Sequence, residues 1–214
     1  MTTLDVGTMF AGSRLVPVVV LDDAAHAAPL GDALVAGGLA CAEITFRTAA
    51  AAAAIEVLAQ RSGFLVGAGT VVTTDQVDQA IAAGARFVVS PGLDPAVVTH
   101  CQERSVPVLP GIATASELQA AMRLGLGAVK FFPAEAMGGA RTVKALAGPF
   151  PEMRFVPTGG ISPDNLAGYL TQRHVLAVGG SWMVAPDLIR ANDFATIAED
   201  TRQAVALAAT HRSG

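Results

Sequence analysis

A (β/α)8 TIM barrel, an α/β fold in a single compact domain, is predicted by three features of this sequence. Short apolar runs alternate with helical patterns from end to end, as in parallel strands joined by helical crossovers. From the second run onward, strand starts recur roughly 20–26 residues apart, the length of one supersecondary unit. Polar groups cluster at the C-terminal ends of several different runs, where such a barrel builds its site. A doubly wound open sheet is the alternative, but no G-x-G-x-x-G follows the first run.

The predicted strands are Leu15–Leu21, Cys41–Phe46, Leu65–Ala68, Phe87–Ser90, Val108–Leu109, Ala128–Phe131, Arg154–Pro157 and Val175–Val178. A glycine precedes several of them (Gly37-Gly38, Gly84, Gly127) and marks the stop of the preceding helix. Helix starts are marked as well. Thr73-Thr-Asp-Gln76 and Thr114-Ala-Ser-Glu117 fit the capping box. Asp94-Pro95 and Ser162-Pro163 fit a cap followed by proline in the first turn. No linker interrupts the chain, so residues 1–214 are expected to form one domain, with an N-terminal helical extension at about 1–12 and a C-terminal helix at about 193–212.

Composition narrows the functional classes. Of the 214 residues, 52% are hydrophobic and 15% charged, against about 25% charged in an average domain. So few charges favour an oligomer. A net charge of −4, a pI near 5.5 and no basic stripe argue against a nucleic-acid partner. No apolar run reaches the ~18 residues of a membrane span, and the first residues lack the pattern of a signal peptide. The two cysteines, Cys41 and Cys101, have no CxxC spacing, and a cytoplasmic location with reduced thiols is expected. None of the four histidines stands at ligand spacing from a carboxylate or another histidine, so no metal is expected.

Of only two lysines, Lys144 lies on the polar face of a helical pattern, whereas Lys130 lies inside Gly127-Ala-Val-Lys-Phe-Phe-Pro133, which reads as a buried strand. An ammonium there is costly unless it is paired or gives up its proton, and a neutral amine is the form that attacks a carbonyl to make a Schiff base. In the second strand, Glu43, Thr45 and Arg47 alternate with Ile44 and Phe46. Period two turns the three polar residues to the barrel axis, with Glu43 deepest and Arg47 at the mouth. The same alternation turns Lys130 inward and Val129 and Phe131 outward. An amine, a carboxylate and a guanidinium then converge. A buried Glu43–Lys130 salt bridge without catalysis is the plainer reading. The catalytic one is an imine on Lys130, proton transfer by Glu43, and a fork at Arg47 for a carboxylate. An α-keto acid would use all three.

Pro157-Thr-Gly-Gly-Ile161 and Val178-Gly-Gly-Ser-Trp182 follow the last two strands. Glycines there let backbone N–H groups approach an anion, and this end of a barrel commonly holds phosphate. Gly159, Gly160, Gly179 and Gly180 are therefore candidate phosphate ligands, and Ser181 adds a hydroxyl. Thr70 is placed to hydrogen-bond a substrate carboxylate or bound waters. Thr158 stands near the substrate chain, and Pro91 shapes a wall.

Glu43-Ile-Thr-Phe-Arg47, Gly67-Ala-Gly-Thr-Val71, Ser90-Pro-Gly92, Lys130-Phe-Phe-Pro-Ala-Glu135, Pro157-Thr-Gly-Gly-Ile-Ser162 and Gly179-Gly-Ser181 occur in this order. Together they resemble the 2-keto-3-deoxy-6-phosphogluconate aldolases, which often also cleave 4-hydroxy-2-oxoglutarate, over about Leu15 to Ala185. The resemblance implies a class I, metal-free lyase of the Entner–Doudoroff pathway, usually a homotrimer, which needs no cofactor beyond its own lysine. It matches Lys130 to the Schiff-base lysine and Glu43 to the general acid/base. It matches Arg47 and Thr70 to the pyruvate carboxylate site, and Gly159, Gly160, Gly180 and Ser181 to the phosphate site. Products would be pyruvate and glyceraldehyde 3-phosphate. Two positions depart from the pattern. Leu21 is followed by Asp22-Asp23 where some relatives end the strand in arginine, and Met137 is bulky where a small or polar residue is expected. Alternatives are a 2-keto-3-deoxy-6-phosphogalactonate aldolase, from which Thr158 separates it, a sugar-phosphate isomerase using Glu43 as base, and a non-catalytic trimeric barrel scaffold.

Overall fold

The structure is a computed structural model and describes residues 9, 10, 12 and 14–211. Most of the expected N-terminal extension lies outside them. Among the described residues there are nine parallel strand segments, with a helix between each consecutive pair except β5 and β6: β1 Leu15–Val19, β2 Cys41–Thr45, β3 Leu65–Gly69, β4 Val88–Val89, β5 Val108–Leu109, β6 Gly111–Ile112, β7 Ala128–Phe131, β8 Arg154–Pro157 and β9 Val178–Gly180. The helices are α1 Ala27–Ala36, α2 Ala51–Ala59, α3 Thr74–Ala82, α4 Pro95–Glu103, α5 Ala115–Arg123, α6 Gly139–Ala147, α7 Pro163–Leu170, α8 Pro186–Arg190 and α9 Phe194–Ala209.

The strands form a six-stranded sheet in the order β5-β4-β3-β2-β1-β9 and a three-stranded sheet in the order β6-β7-β8. Parallel bridges Phe155↔Val175 and Thr158↔Gly179 link β8 to the β9 segment. Between β5 and β6 the chain continues through Pro110. Proline has no N–H to give to a ladder, but its carbonyl accepts from the Lys130 N–H at 2.9 Å. The fifth strand therefore pairs with β4 before the proline and with β7 after it.

Several strand ends differ from those predicted: the first strand stops at Val19 rather than Leu21, the second at Thr45 rather than Phe46, and the third runs on to Gly69. The fourth shrinks from Phe87–Ser90 to Val88–Val89. The eighth moves from Val175–Val178 to Val178–Gly180, because residues 178–180 pair with Leu15, Val16 and Pro17 whereas Val175 makes only an isolated bridge. The glycine pair expected in a loop thus closes the last strand.

The predicted caps take particular forms. In α5 the box is complete: Glu117 N–H donates to Thr114 Oγ1 at 3.3 Å and Thr114 N–H to Glu117 Oε2 at 2.8 Å. In α3 Thr73 caps the Gln76 N–H, but Gln76 reaches back to the Val72 N–H. Asp94 caps Ala96 ahead of α4, and Ser162 N–H donates to Asn165 Oδ1 at the start of α7.

The apolar strand residues meet the helices in one core that includes Ile44, Val129, Phe131, Phe155, Leu30, Leu34, Ile55 and Leu58, all fully buried. Each such side chain contributes about 1.5–3 kcal/mol by leaving water. Helix α9 packs on α1, where a Cβ on Gly37 would come within 2.6 Å of Thr201 Cγ2 and 2.9 Å of the Ala198 carbonyl. Among the described residues, Thr201 Oγ1 is buried here without a hydrogen-bond partner. A buried, unpaired hydroxyl costs roughly 1–3 kcal/mol. Thr201→Val keeps the shape and removes that cost. It should raise the thermal midpoint by about 2–4 °C, and a lower midpoint in a calorimetric scan would contradict this.

Candidate active site

Lys130 and Glu43 come together inside the molecule. Lys130 is 5% and Glu43 3% exposed, and Lys130 Nζ stands 3.4 Å from Glu43 Oε1. The strands set this meeting. Glu43 on β2 is in register with Val18 and Gly67, and Lys130 on β7 with Gly111 and Val156. Their neighbours Ile44, Val129 and Phe131 are fully buried in the core.

Small residues make the room. The Glu43 side chain leans over Gly69, where a Cβ would come within 2.6 Å of its Cγ and 2.7 Å of its Cδ. Gly67 does the same for the Phe87 ring, which occupies the place a Cβ would take. Phe87 meets Phe10 edge to face at 5.3 Å. Phe10, Val16, Phe87, Val89, Leu109 and Val156 enclose the amine and carboxylate in a cavity of about 10 Å³, the room of about one water. The ammonium also lies 5.1 Å from the Phe132 ring centroid, a cation–π distance. Thr45 satisfies its hydroxyl on the Val19 carbonyl at 2.9 Å.

Above this cavity opens a larger cleft of about 220 Å³, lined by Val18, Val20, Arg47, Phe132, Thr158, Gly159, Gly160, Ile161, Gly179, Gly180, Ser181 and Pro186. Thr158 belongs to both spaces. The cleft brings together both predicted glycine pairs and Ser181. Gly159 and Gly160 have φ of +104° and +76°, which glycine adopts without strain. A Cβ on Gly179 would overlap Thr158 Oγ1. Among the described residues, the N–H groups of Gly160, Ile161 and Ser181 give no hydrogen bond.

Arg47 departs from the predicted trio. It is exposed, and it lines the glycine cleft rather than the lysine cavity. It forms no ion pair among the described residues, so its guanidinium has no internal counter-charge. Thr70 follows β3 with a φ of 56° and lines neither space. Pro91 also lines neither; its carbonyl packs where a Cβ on Gly111 would stand. Leu21 is fully buried, and Asp22 pairs with Arg190 at 3.4 Å, which ties the β1 end to α8. Met137 is 40% exposed and does not line the cleft.

Neither cysteine is a candidate nucleophile. Burial, then the Glu43 charge, pushes the Cys41 thiol far up, and burial pushes the Cys101 thiol up to about 12. Both stay protonated and unreactive at neutral pH. Among the described residues, no three His, Cys, Asp or Glu side chains gather closely enough to hold a metal ion, and no helix is long and apolar enough to cross a membrane.

Sequence reasoning missed Phe132, Gly67, Gly69 and the Phe10–Phe87 floor. One signal for the glycines was available: Gly67 and Gly69 alternate like Glu43 and Thr45, which places both on the axis side of β3.

A buried amine beside a carboxylate, under an anion-suited glycine cleft and at the C-terminal ends of parallel strands, is the arrangement of an imine-forming α/β enzyme. The chain belongs to the KDPG and KHG aldolase family, whose model matches residues 6–199. It is 51% identical over 191 residues to the 2-dehydro-3-deoxy-phosphogluconate aldolase of Treponema pallidum, covering 89% of this chain and 91% of that protein. Among solved structures it resembles the KDPG aldolase of Legionella pneumophila with pyruvate captured as a covalent carbinolamine (TM-score 0.90, 40% identity, 94% of this chain and 98% of the other). It also resembles the Zymomonas mobilis 2-keto-3-deoxy-6-phosphogluconate aldolase with 3-phosphoglycerate (TM-score 0.90, 40% identity, 95% and 96% covered).

Gly69→Ala should displace the Glu43 carboxylate from the amine. A misplacement near 1 Å costs about 100-fold in rate, so kcat should fall by about that factor. Steady-state kinetics with kcat within threefold of the parent would show that Glu43 does not need this seat.

Proposed function

We propose that this protein is a class I aldolase that cleaves 2-keto-3-deoxy-6-phosphogluconate to pyruvate and glyceraldehyde 3-phosphate, and 4-hydroxy-2-oxoglutarate to pyruvate and glyoxylate. The observation that carries this reading is the buried contact of 3.4 Å between Lys130 Nζ and Glu43 Oε1. In this reading Lys130 is the catalytic nucleophile and Glu43 the general acid/base. The neutral amine adds to the C2 ketone, and Glu43 donates the proton that lets the carbinolamine lose water. The resulting iminium is the electron sink. Glu43 then accepts the C4 hydroxyl proton, the C3–C4 bond breaks, and its electron pair passes into the enamine. Glyceraldehyde 3-phosphate leaves, the enamine takes a proton at C3, and water releases pyruvate and Lys130.

The remaining assignments follow the shape of the site. Arg47, unpaired at the mouth, offers two parallel donors to the substrate carboxylate, with Thr70 as a further donor. Thr158, shared by cavity and cleft, stands along the substrate chain, and Pro91 belongs to the wall behind it. Gly159, Gly160, Gly179, Gly180 and Ser181 line the phosphate site, with the N–H groups of Gly160 and Ser181, which give no hydrogen bond among the described residues, and the Ser181 hydroxyl as its donors. The mechanism needs neither metal nor cofactor.

We also infer that the two sheets are arcs of one closed eight-stranded barrel, a single domain spanning the chain. The continuation through Pro110 and the Thr158↔Gly179 bridge support it. A homotrimer in the cytoplasm completes the proposal, supported by the 15% charged share and by exposed Val72, Met122 and Met137.

Borohydride reduction with pyruvate, in the presence of a chelator, should add the mass of a reduced pyruvyl group to the peptide bearing Lys130. Absence of that mass, or trapping that survives Lys130→Ala, would overturn the imine assignment. Ser181→Ala removes a donor to a charged group, worth about 1.5–3 kcal/mol. It should raise KM for the phosphorylated substrate about tenfold or more, with less effect on 4-hydroxy-2-oxoglutarate. An equal rise for both would place the phosphate elsewhere.

A further inference from the structure

Behind the glycine turn that follows β8 lies a hydrogen bond with no part in the chemistry above. Tyr169 on α7 is fully buried, and its hydroxyl donates to Glu135 Oε1. Glu135 opens the 3-10 turn beyond β7 and is itself exposed. Three contacts tie it to the turn. Its N–H donates to the Gly159 carbonyl at 3.0 Å, and the N–H of Ala134 before it donates to the Thr158 carbonyl at 2.8 Å. Its side chain fills the space behind Gly160, where a Cβ would come within 2.8 Å of Glu135 Cβ and 3.0 Å of Cγ. Gly139 gives it further room, since a Cβ there would lie 2.9 Å from Oε1. From the other side, Asn165 Nδ2 donates to the Gly160 carbonyl at 3.1 Å.

All three carbonyls of Thr158, Gly159 and Gly160 are thereby engaged, while the N–H groups of Gly160 and Ile161 give no hydrogen bond among the described residues. A carboxylate so near an anion cleft opposes anion binding by its charge. What it supplies instead is an acceptor that locks the turn to the helix behind it. Burial, then the hydrogen bond to Glu135, pushes the Tyr169 phenol far up, so its hydroxyl remains a donor across the working range. Fixed N–H groups bind an anion better than mobile ones, because the ordering cost is met in folding.

We propose that Tyr169 and Glu135 are positioning residues whose hydrogen bond holds the Thr158–Ile161 turn ready for the substrate phosphate, and so sets the preference for phosphorylated over unphosphorylated keto acids. This rests on the reading of the glycine cleft as the phosphate site. The test measures kcat and KM for 2-keto-3-deoxy-6-phosphogluconate and 4-hydroxy-2-oxoglutarate in the parent, Tyr169→Phe, Glu135→Gln and Ser181→Ala, with inorganic phosphate as a competitive probe. Tyr169→Phe should lower the ratio of the two kcat/KM values about tenfold, through KM for the phosphorylated substrate, and weaken phosphate inhibition in step. Glu135→Gln keeps an acceptor oxygen and should hold the ratio within about threefold of the parent. A merely structural role would lower both substrates together and leave the ratio intact.

If Ser181→Ala shifts the ratio and Tyr169→Phe does not, the positioning proposal fails and the phosphate site stands. If neither shifts it, the phosphate reading fails and takes the proposal with it. Should Tyr169→Phe fold poorly, Glu135→Ala at its exposed position replaces it, and an unchanged ratio there is equally fatal.

Discussion

The contact between Lys130 and Glu43 is the constraint around which the interior is arranged. Two charges taken from water cost several kcal/mol each, and their attraction offsets this only with good geometry. The sequence around them makes that geometry possible. Gly69 leaves a seat for the carboxylate, and Phe132 offers a ring face to the ammonium. Thr45, the next inward residue on β2, bonds a backbone carbonyl and leaves the pair undisturbed. A structural salt bridge would need the same seat. It would not need an open, glycine-lined cleft directly above, joined to it through one threonine.

The cleft shows a complementary economy of side chains. Where the lysine cavity is walled by aromatic and aliphatic groups, the cleft wall after β8 and along β9 is mostly bare backbone. Gly159 and Gly160 are free to take positive φ, and Gly179 must lack a side chain because Thr158 stands in that space. That wall therefore tolerates no added carbon, and the same cleft is lined by Arg47, with no ion-pair partner among the described residues.

Much of this was legible before any coordinates. Alternation along β2 and β7 placed Glu43 and Lys130 on one face, because a strand's period is fixed by its pleat. The glycine pairs beyond the seventh and eighth predicted strands do meet in one cleft. Arg47 was expected at the mouth but converging with Lys130 and Glu43; it lines the glycine cleft instead, since alternation gives a residue's face but not how far a long side chain reaches out. Strand ends were the weak point. Gly179 and Gly180 read as loop because glycine is a poor strand former, yet pairing with β1 overrides that preference. The fifth strand was read as ending at Leu109, yet Gly111–Ile112 resumes the pairing beyond Pro110. The contact of Tyr169 with Glu135 left no trace in any local pattern, because the two residues meet only through the packing of α7 behind β7.

The pairing of β9 with β1 has a consequence in time. The cleft takes Val18 and Val20 from the start of the chain and Gly179, Gly180 and Ser181 from near its end. During synthesis β1 can pair early with β2, but its other edge waits unpaired until β9 emerges. Contacts of such long sequence separation form slowly, and a bare strand edge invites wrong partners meanwhile. The half-made chain therefore carries Glu43 and later Lys130 but no complete cleft. The cleft closes almost last, with the strand that also removes the exposed edge.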